Sequence, residues 1–240
     1  MRNSSPESWS SRLTFVSHGA QIEIRADEET FLEAVREILP ESSEIRPVST
    51  PDVVYSIGLS KDHQGVERHY DLFEAKNRIS SKQKLTHLLR FLLSELHFKI
   101  AQHAREVLFV HAGVVGWKNR TIVIPGRSMS GKTSLVAALV RAGAVYYSDE
   151  YAVVDRSGWV HPYPKPLSIR NKDGSTTQVD AASLGKGPGR HALPASMIVV
   201  SRYREGATWR PRRLTRGQAV LALIDNSVLA SSQKSDRNPS

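Results

Sequence analysis

The apolar positions change period several times along the chain, and each change marks an element. Residues 12–17 and 20–25 are two short apolar runs around His18-Gly19, and Ile22 and Ile24 alternate with polar partners. That pattern predicts a hairpin. Phe31, Leu32, Val35, Ile38 and Leu39 recur at helical spacing, so Glu28–Leu39 is expected as a helix that stops before Pro40. Glu41–Pro51 is a polar connection. Val53–Leu59 and Val66–Phe73 read as strands flanking a turn region at Lys61–Gly65. The longest helical pattern is Ser80–His103, where Leu85, Leu88, Leu89, Leu92, Leu93, Leu96 and Ile100 form an apolar stripe of the kind that packs into a core.

The second half alternates shorter elements. Val107–Val115 and Thr121–Ile124 read as strands joined by a turn at Gly116–Asn119, with Pro125 ending the second. Ser134–Arg141 reads as a helix with Leu135, Ala138 and Leu139 on one face, stopped by Gly143. Ala144–Tyr147 is a strand that runs into Ser148-Asp149-Glu150, followed by a hairpin of Tyr151–Val154 and Trp159–Tyr163. Pro162, Pro164 and Pro166 stiffen an extended segment into Leu167–Arg170. Residues 171–191 change character. Gly185, Gly187 and Gly189, with Lys186 and Arg190, suggest a loop able to close over a bound acceptor. Met197–Ser201 and Arg216–Leu229 complete the set as a strand and a helix. The order of elements predicts an α/β protein: an α+β unit over 1–79, a core with its leading helix over 80–230, and a disordered polar tail over 231–240.

Composition narrows the class. The chain has 240 residues, no cysteine and a formal charge of +9. No apolar run approaches the ~18 residues of a membrane span, and Met1–Ser11 lacks a signal-peptide core. A cytoplasmic protein without a membrane partner is the expectation. The densest basic cluster is Arg202, Arg204, Arg210, Arg212, Arg213 and Arg216. It comes without helix-turn-helix spacing or an aromatic RNA-binding signature, so nucleic acid is disfavoured as a partner. A homo-oligomer is left open. His63, His69, His87, His97 and His103 read as surface or structural residues.

The chemistry concentrates in Gly126-Arg127-Ser128-Met129-Ser130-Gly131-Lys132-Thr133, which fits G-x-x-x-x-G-K-[ST]. A strand precedes it and a helix opening with Ser134 follows it, the context a phosphate-binding loop requires. Backbone amides of the loop and of the helix N-terminus would cradle phosphates. Lys132 would reach the β- and γ-phosphates of a nucleotide, and the Thr133 hydroxyl would bind Mg2+. Asp149 and Glu150, at the end of the next strand, are candidates for a magnesium-linked carboxylate and a proton acceptor. Asn171-Lys172-Asp173-Gly174 has the wrong order for the guanine-reading N-K-x-D and is set aside.

From His111 to Arg170 the chain resembles the HPr kinase/phosphorylase family and its shorter relatives. That family has a strand bearing a His-Gly pair, the phosphate loop, a helix ending in glycine and a strand ending in two acids. Here these are His111-Ala112, Gly126–Thr133, Gly143 and Asp149-Glu150, with 21 positions from His111 to Lys132 and 18 from Lys132 to Glu150, spacings that match the family without a gap. The resemblance implies a P-loop kinase core of the HPr-kinase type, with mixed sheets flanking the phosphate-loop helix. It implies transfer of the γ-phosphoryl of ATP, with Mg2+, to a serine hydroxyl of a protein or peptide. It puts the family's histidine on His111, the phosphate contact on Lys132, the metal contact on Thr133, and the proton acceptor on Glu150, where the family has aspartate. A ribosomal peptide precursor such as a lasso-peptide precursor is an acceptor candidate by likeness to some short relatives. The family's L-E-[IV]-R segment corresponds to Leu167-Ser168-Ile169-Arg170, with serine in place of a magnesium-binding glutamate. Two other readings stand beside this one: a small-molecule kinase on the same core, and a nucleotide-gated regulator without transfer activity.

Overall fold

A computed structural model describes residues 9–60, 68–126, 130–171, 173–202, 206, 208 and 210–228. It divides into two compact units, residues 1–105 and 106–240.

The first unit is a mixed sheet with two helices. β1 (Ser11–Ser17) and β2 (Ala20–Ala26) form the expected antiparallel hairpin, α1 (Glu29–Ile38) follows, and β3 (Ser43–Ile45) adds to the free side of β1. β4 (Val53–Leu59) lies parallel to β2; β5 (Tyr70–Glu74) and β6 (Asn77–Gln83) complete the order β3-β1-β2-β4-β5-β6. α2 (Leu85–His103) closes the unit. Alternation along the strands puts Ile22, Ile24, Tyr55, Ile57 and Leu72 in the core, where they are fully buried with Leu32, Leu88, Leu92 and Leu96 of the helices.

Three expectations change here. The helix expected from Ser80 starts at Leu85, because Asn77–Gln83 pairs with β5 as a strand. The polar connection after α1 contains β3, which is held by backbone pairing and leaves no apolar periodicity to read. The boundary expected at 79/80 lies at 105/106, since the leucine stripe of α2 packs on β2, β5, β6 and α1. The strand expected at Val66–Phe73 is seen as β5 from Tyr70, with 61–67 outside the described residues.

The second unit is also mixed α/β. It contains β7 (Val107–Trp117), β8 (Arg120–Pro125), α3 (Lys132–Arg141), β9 (Val145–Ser148), β10 (Tyr151–Asp155), β11 (Trp159–His161), β12 (Leu167–Arg170), β13 (Thr176–Val179), β14 (Leu193–Ile198) and α4 (Arg216–Asp225). β7 organises it. Residues 112–117 of β7 pair with β8, and the opposite edge pairs with β10 over 107–111 and with β9 over 114–116. With β10–β11, β11–β14 and β14–β8 pairings the strands close a circuit, β7-β10-β11-β14-β8. One face of β7 gives Val110, Ala112 and Val114 to a core shared with Val123, Ala152 and Val160. The other presents Val115 to Val136, Ala137 and Val140 of α3. Gly113 lies on that second face, and a Cβ there would come within 2.5 Å of Val136 Cγ2, so the glycine lets the helix sit close to the strand.

The expected strand at 197–201 is β14 at Leu193–Ile198, and β13 pairs with β12 inside the stretch expected to be irregular. α4 ends at Asp225 rather than Leu229, and 231–240 lies outside the described residues. Among the described residues no helix is long and apolar enough to cross a membrane.

Candidate functional site

The site is built where β7, β8, α3 and the β9–β10 turn converge. β8 ends at Pro125. Gly126 then donates its N–H to the carbonyl of His111 at 3.1 Å, which ties the start of the loop to β7. A Cβ on Gly126 would lie 2.6 Å from Ser130 Oγ, so these two residues approach closely. Arg127, Ser128 and Met129 lie outside the described residues. Gly131 has φ +88° and caps α3 in the left-handed region. The helix therefore begins at Lys132, two residues earlier than expected, and Lys132, Thr133 and Ser134 form its first turn. No acidic side chain sits in that turn and none caps it. The first-turn amides, which have no carbonyl of their own helix to bond, and the positive end of the helix dipole suit an anionic ligand.

The β9–β10 turn faces this helix start. Ser148 Oγ accepts from the backbone N–H groups of Glu150 (3.3 Å) and Tyr151 (3.1 Å), shaping the turn that carries the two acids. Thr133 Oγ1 donates to Asp149 Oδ2 at 2.9 Å. Asp149 Oδ1 and Ser130 Oγ are both buried without a hydrogen-bond partner. Burial raises the Asp149 carboxyl to about 6, against the opposing pull of the Thr133 hydrogen bond and the Lys132 charge. Lys132 is lowered by burial, a shift opposed by Asp149 and then Glu150.

Glu150 takes a different set of partners. Its Oε2 pairs with the ammonium of Lys165, and its carboxylate meets the Tyr151 hydroxyl. Its backbone carbonyl accepts from the N–H of Ala112 at 3.1 Å, which fixes the turn against β7. His111 sits on the face of β7 that carries Gly113 and Val115. Its ring lies 4.9 Å from that of Tyr151, and its backbone N–H donates to the Asn226 carbonyl at 2.7 Å. Burial holds His111 below its usual range, with Glu150 opposing that shift and Lys132 reinforcing it. The structure thus brings together His111, Gly126, Ser130, Gly131, Lys132, Thr133, Asp149 and Glu150, residues spread over four segments of sequence.

The 183–191 loop, expected to close over an acceptor, packs along α3 and β9 in this structure. A Cβ on Gly185 would meet the Val140 carbonyl at 2.6 Å, and one on Gly189 would meet the Tyr147 ring at 2.4 Å. Val140 lies eight residues beyond Lys132, so it is about 12 Å along the helix from the site end. Gly189 N–H donates to the Tyr146 carbonyl at 2.8 Å, and the Tyr147 hydroxyl donates to the His191 carbonyl at 2.8 Å. Gly185 and Gly189 permit close packing along α3 and β9. Ser168, where the related family has its glutamate, accepts a hydrogen bond from Gln178 at 2.8 Å. Its neighbours Leu167 and Ile169 pack on the cluster that holds α3, so Ser168 points away from that cluster.

Lys165 and Tyr146 were not singled out from sequence. Tyr146, fully buried, donates its hydroxyl to the Lys165 carbonyl at 2.7 Å, and burial first, then the Asp149 charge, holds that phenol protonated. Pro164-Lys165-Pro166 marks a stiff segment, but nothing in its spacing points to a carboxylate 15 positions away.

No family model, no curated protein and no solved structure matches the chain.

Proposed function

We propose that the second unit is a P-loop kinase core of the HPr-kinase type, and that the chain is a cytoplasmic, ATP- and Mg2+-dependent kinase acting on a serine hydroxyl of a protein or peptide. The observation that carries this reading is the Thr133–Asp149 hydrogen bond at the open start of α3, with Asp149 Oδ1 buried and unpartnered beside it. A buried carboxylate oxygen without a partner is costly unless a ligand completes it. A hydroxyl and a carboxylate oxygen are hard donors of the type magnesium takes. Among the described residues no three His, Asp or Glu side chains converge as a metal nest. That suits a cation held by one or two protein oxygens and completed by nucleotide phosphates. Magnesium, when bound, neutralises charge on the β- and γ-phosphates and helps orient the γ-phosphoryl group.

The protein's own groups have distinct tasks in this reading. The amides of Lys132, Thr133 and Ser134 receive phosphate oxygens, and Lys132 neutralises charge as the γ-phosphoryl moves. Ser130 Oγ, buried and unpartnered, is a further donor within the loop. The serine oxygen bonds to the γ-phosphorus as the bond from phosphorus to the β,γ-bridging oxygen breaks, and ADP leaves. The serine proton passes to Glu150, late, as the bonded hydroxyl becomes acidic. His111, held neutral by burial, sits beside Tyr151 and orients the acceptor side of the carboxylate.

The test uses ATP labelled at the γ-phosphate, magnesium, a degenerate pool of serine-centred peptides and a set of small alcohols, with Lys132→Ala in parallel. Labelled peptide that disappears with Lys132→Ala supports the reading. Label on a small alcohol alone would make the chain a small-molecule kinase. Nucleotide binding with no transfer to any acceptor would make it a nucleotide-gated regulator.

A further inference from the structure

Asp149 and Glu150 are adjacent in one turn, and Lys132 attracts both. Two neighbouring carboxylates facing one ammonium would be expected to compete for it. The structure separates them. Asp149 is turned to Thr133 Oγ1, and Glu150 is turned to Lys165.

The backbone that carries Lys165 is held from several sides. Pro164 and Pro166 flank it and restrict the backbone on both sides. Its carbonyl accepts from the buried Tyr146 hydroxyl at 2.7 Å. The adjoining Tyr163 donates its N–H to the Tyr147 carbonyl at 3.0 Å and buries its ring against Phe109 and Tyr151. On the other side Leu167 enters the core under α3. Tyr146 and Tyr147 belong to β9, the strand that leads into Asp149-Glu150. The segment carrying Lys165 is therefore fastened to the same strand that carries the carboxylates, so the backbone of Lys165 is held beside Glu150, with which its ammonium pairs.

We infer that Lys165 is a positioning residue that holds Glu150 away from the Lys132 side of the site, dividing the two acids into a metal-side carboxylate and an acceptor-side carboxylate. This rests on the kinase reading above. Without Lys165, the Glu150 carboxylate keeps only its Tyr151 contact and loses its fixed place on the acceptor side, so the acceptor hydroxyl is left without a positioned base. Misplacement of a reacting group by about 1 Å costs on the order of 100-fold in rate.

The test compares wild type, Lys165→Ala, Lys165→Arg, Glu150→Gln and the double variant Lys165→Ala/Glu150→Gln in the full chain. Nucleotide affinity is read with N-methylanthraniloyl-ATP and magnesium. Transfer is read with γ-labelled ATP and the serine-centred peptide pool, and phosphate release to water is read alongside. The expected result is that Lys165→Ala lowers kcat on the order of 10- to 100-fold with nucleotide affinity unchanged. Lys165→Arg, which keeps a cation there, recovers most of it. The double variant should be no slower than Glu150→Gln, since both changes remove one function. Wild-type kcat in Lys165→Ala overturns the inference, as does multiplication of the two losses in the double variant. Loss of nucleotide affinity in Lys165→Ala would make Lys165 a nucleotide ligand and also overturn it. Circular dichroism checks folding; if the alanine variant does not fold, a Lys165→Gln variant compared with Lys165→Arg decides the same question. A wild type that binds no nucleotide and transfers to neither peptide nor water rejects the kinase reading itself, an outcome distinct from any of these.

Discussion

Asp71 in the first unit and Asp149 in the second are both largely withdrawn from water, yet their surroundings differ. Asp71 lies in β5 next to the irregular pairing with β6. One of its oxygens accepts the backbone N–H of Lys82 at 2.9 Å and the other meets Arg78 at 3.4 Å. Lys82 has φ +51°, and the carboxylate stabilises the distorted strand by taking its N–H. Asp149 has one oxygen on Thr133 and the other on nothing. Burial of an acid alone therefore does not mark a site. The informative feature is an acid whose partners are incomplete, because a folded protein seldom leaves such a group unpaired without a use for it. Three further acids of the first unit follow the Asp71 pattern: Glu23 pairs with Arg25 at 2.6 Å, Asp52 with Arg105 at 2.6 Å, and Glu74 with Lys99.

The largest test of this contrast is on the phosphate side. Lys132→Ala should leave a folded protein that has lost transfer, a loss of roughly 3 kcal/mol or more in transition-state stabilisation. Labelled-ATP assays and thermal melts together check it, and wild-type transfer by a folded variant would refute the site. Next in size is Glu150→Gln, expected to bind magnesium and nucleotide but to transfer at least ~100-fold more slowly. In the same assay Asp149→Asn should also lose magnesium dependence. If Glu150→Gln transfers normally, the acceptor-side role passes to Asp149.

The counterpart in the first unit is Asp71→Ala. It leaves the Lys82 N–H without its partner and should cost about 1–3 kcal/mol of stability, read as a lower urea midpoint, whereas Asp149→Asn should cost little stability and much activity. A melt that ranks the two the other way would break the contrast. Smallest and most local is Gly189→Ala, where the added Cβ would strike the Tyr147 ring. Overpacking of this kind costs about 1–3 kcal/mol, and nucleotide affinity should be unchanged because the contact is away from the helix start. A variant that weakens nucleotide binding without losing stability would return the 183–191 loop to the site.

Much of the local structure was legible from residue order. The hairpin around His18-Gly19, the helix that became α1, the stripe on α2 and the strand–loop–helix containing Gly126–Thr133 all follow from short-range periodicity and from glycine and proline chemistry. The candidate residues Lys132, Thr133, Asp149 and Glu150 could be picked out because a phosphate loop and a pair of acids at a strand end carry their chemistry in local patterns, whereas His111 was picked out only through the family resemblance. What could not be read was settled by contacts far apart in sequence. The ownership of α2 was decided by which sheet its leucines met. The short strands β3, β6 and β13 exist because backbone groups found partners, which side-chain periodicity does not encode. Gly185 and Gly189 looked like freedom and proved to be close approach, unlike Gly187, which stands in open space; the same residue type serves both, and only the neighbouring Val140 carbonyl and Tyr147 ring distinguish them. Lys165 is the clearest case: as sequence it is one lysine between prolines, and its pairing with Glu150 depends on β9 bringing both segments to one place.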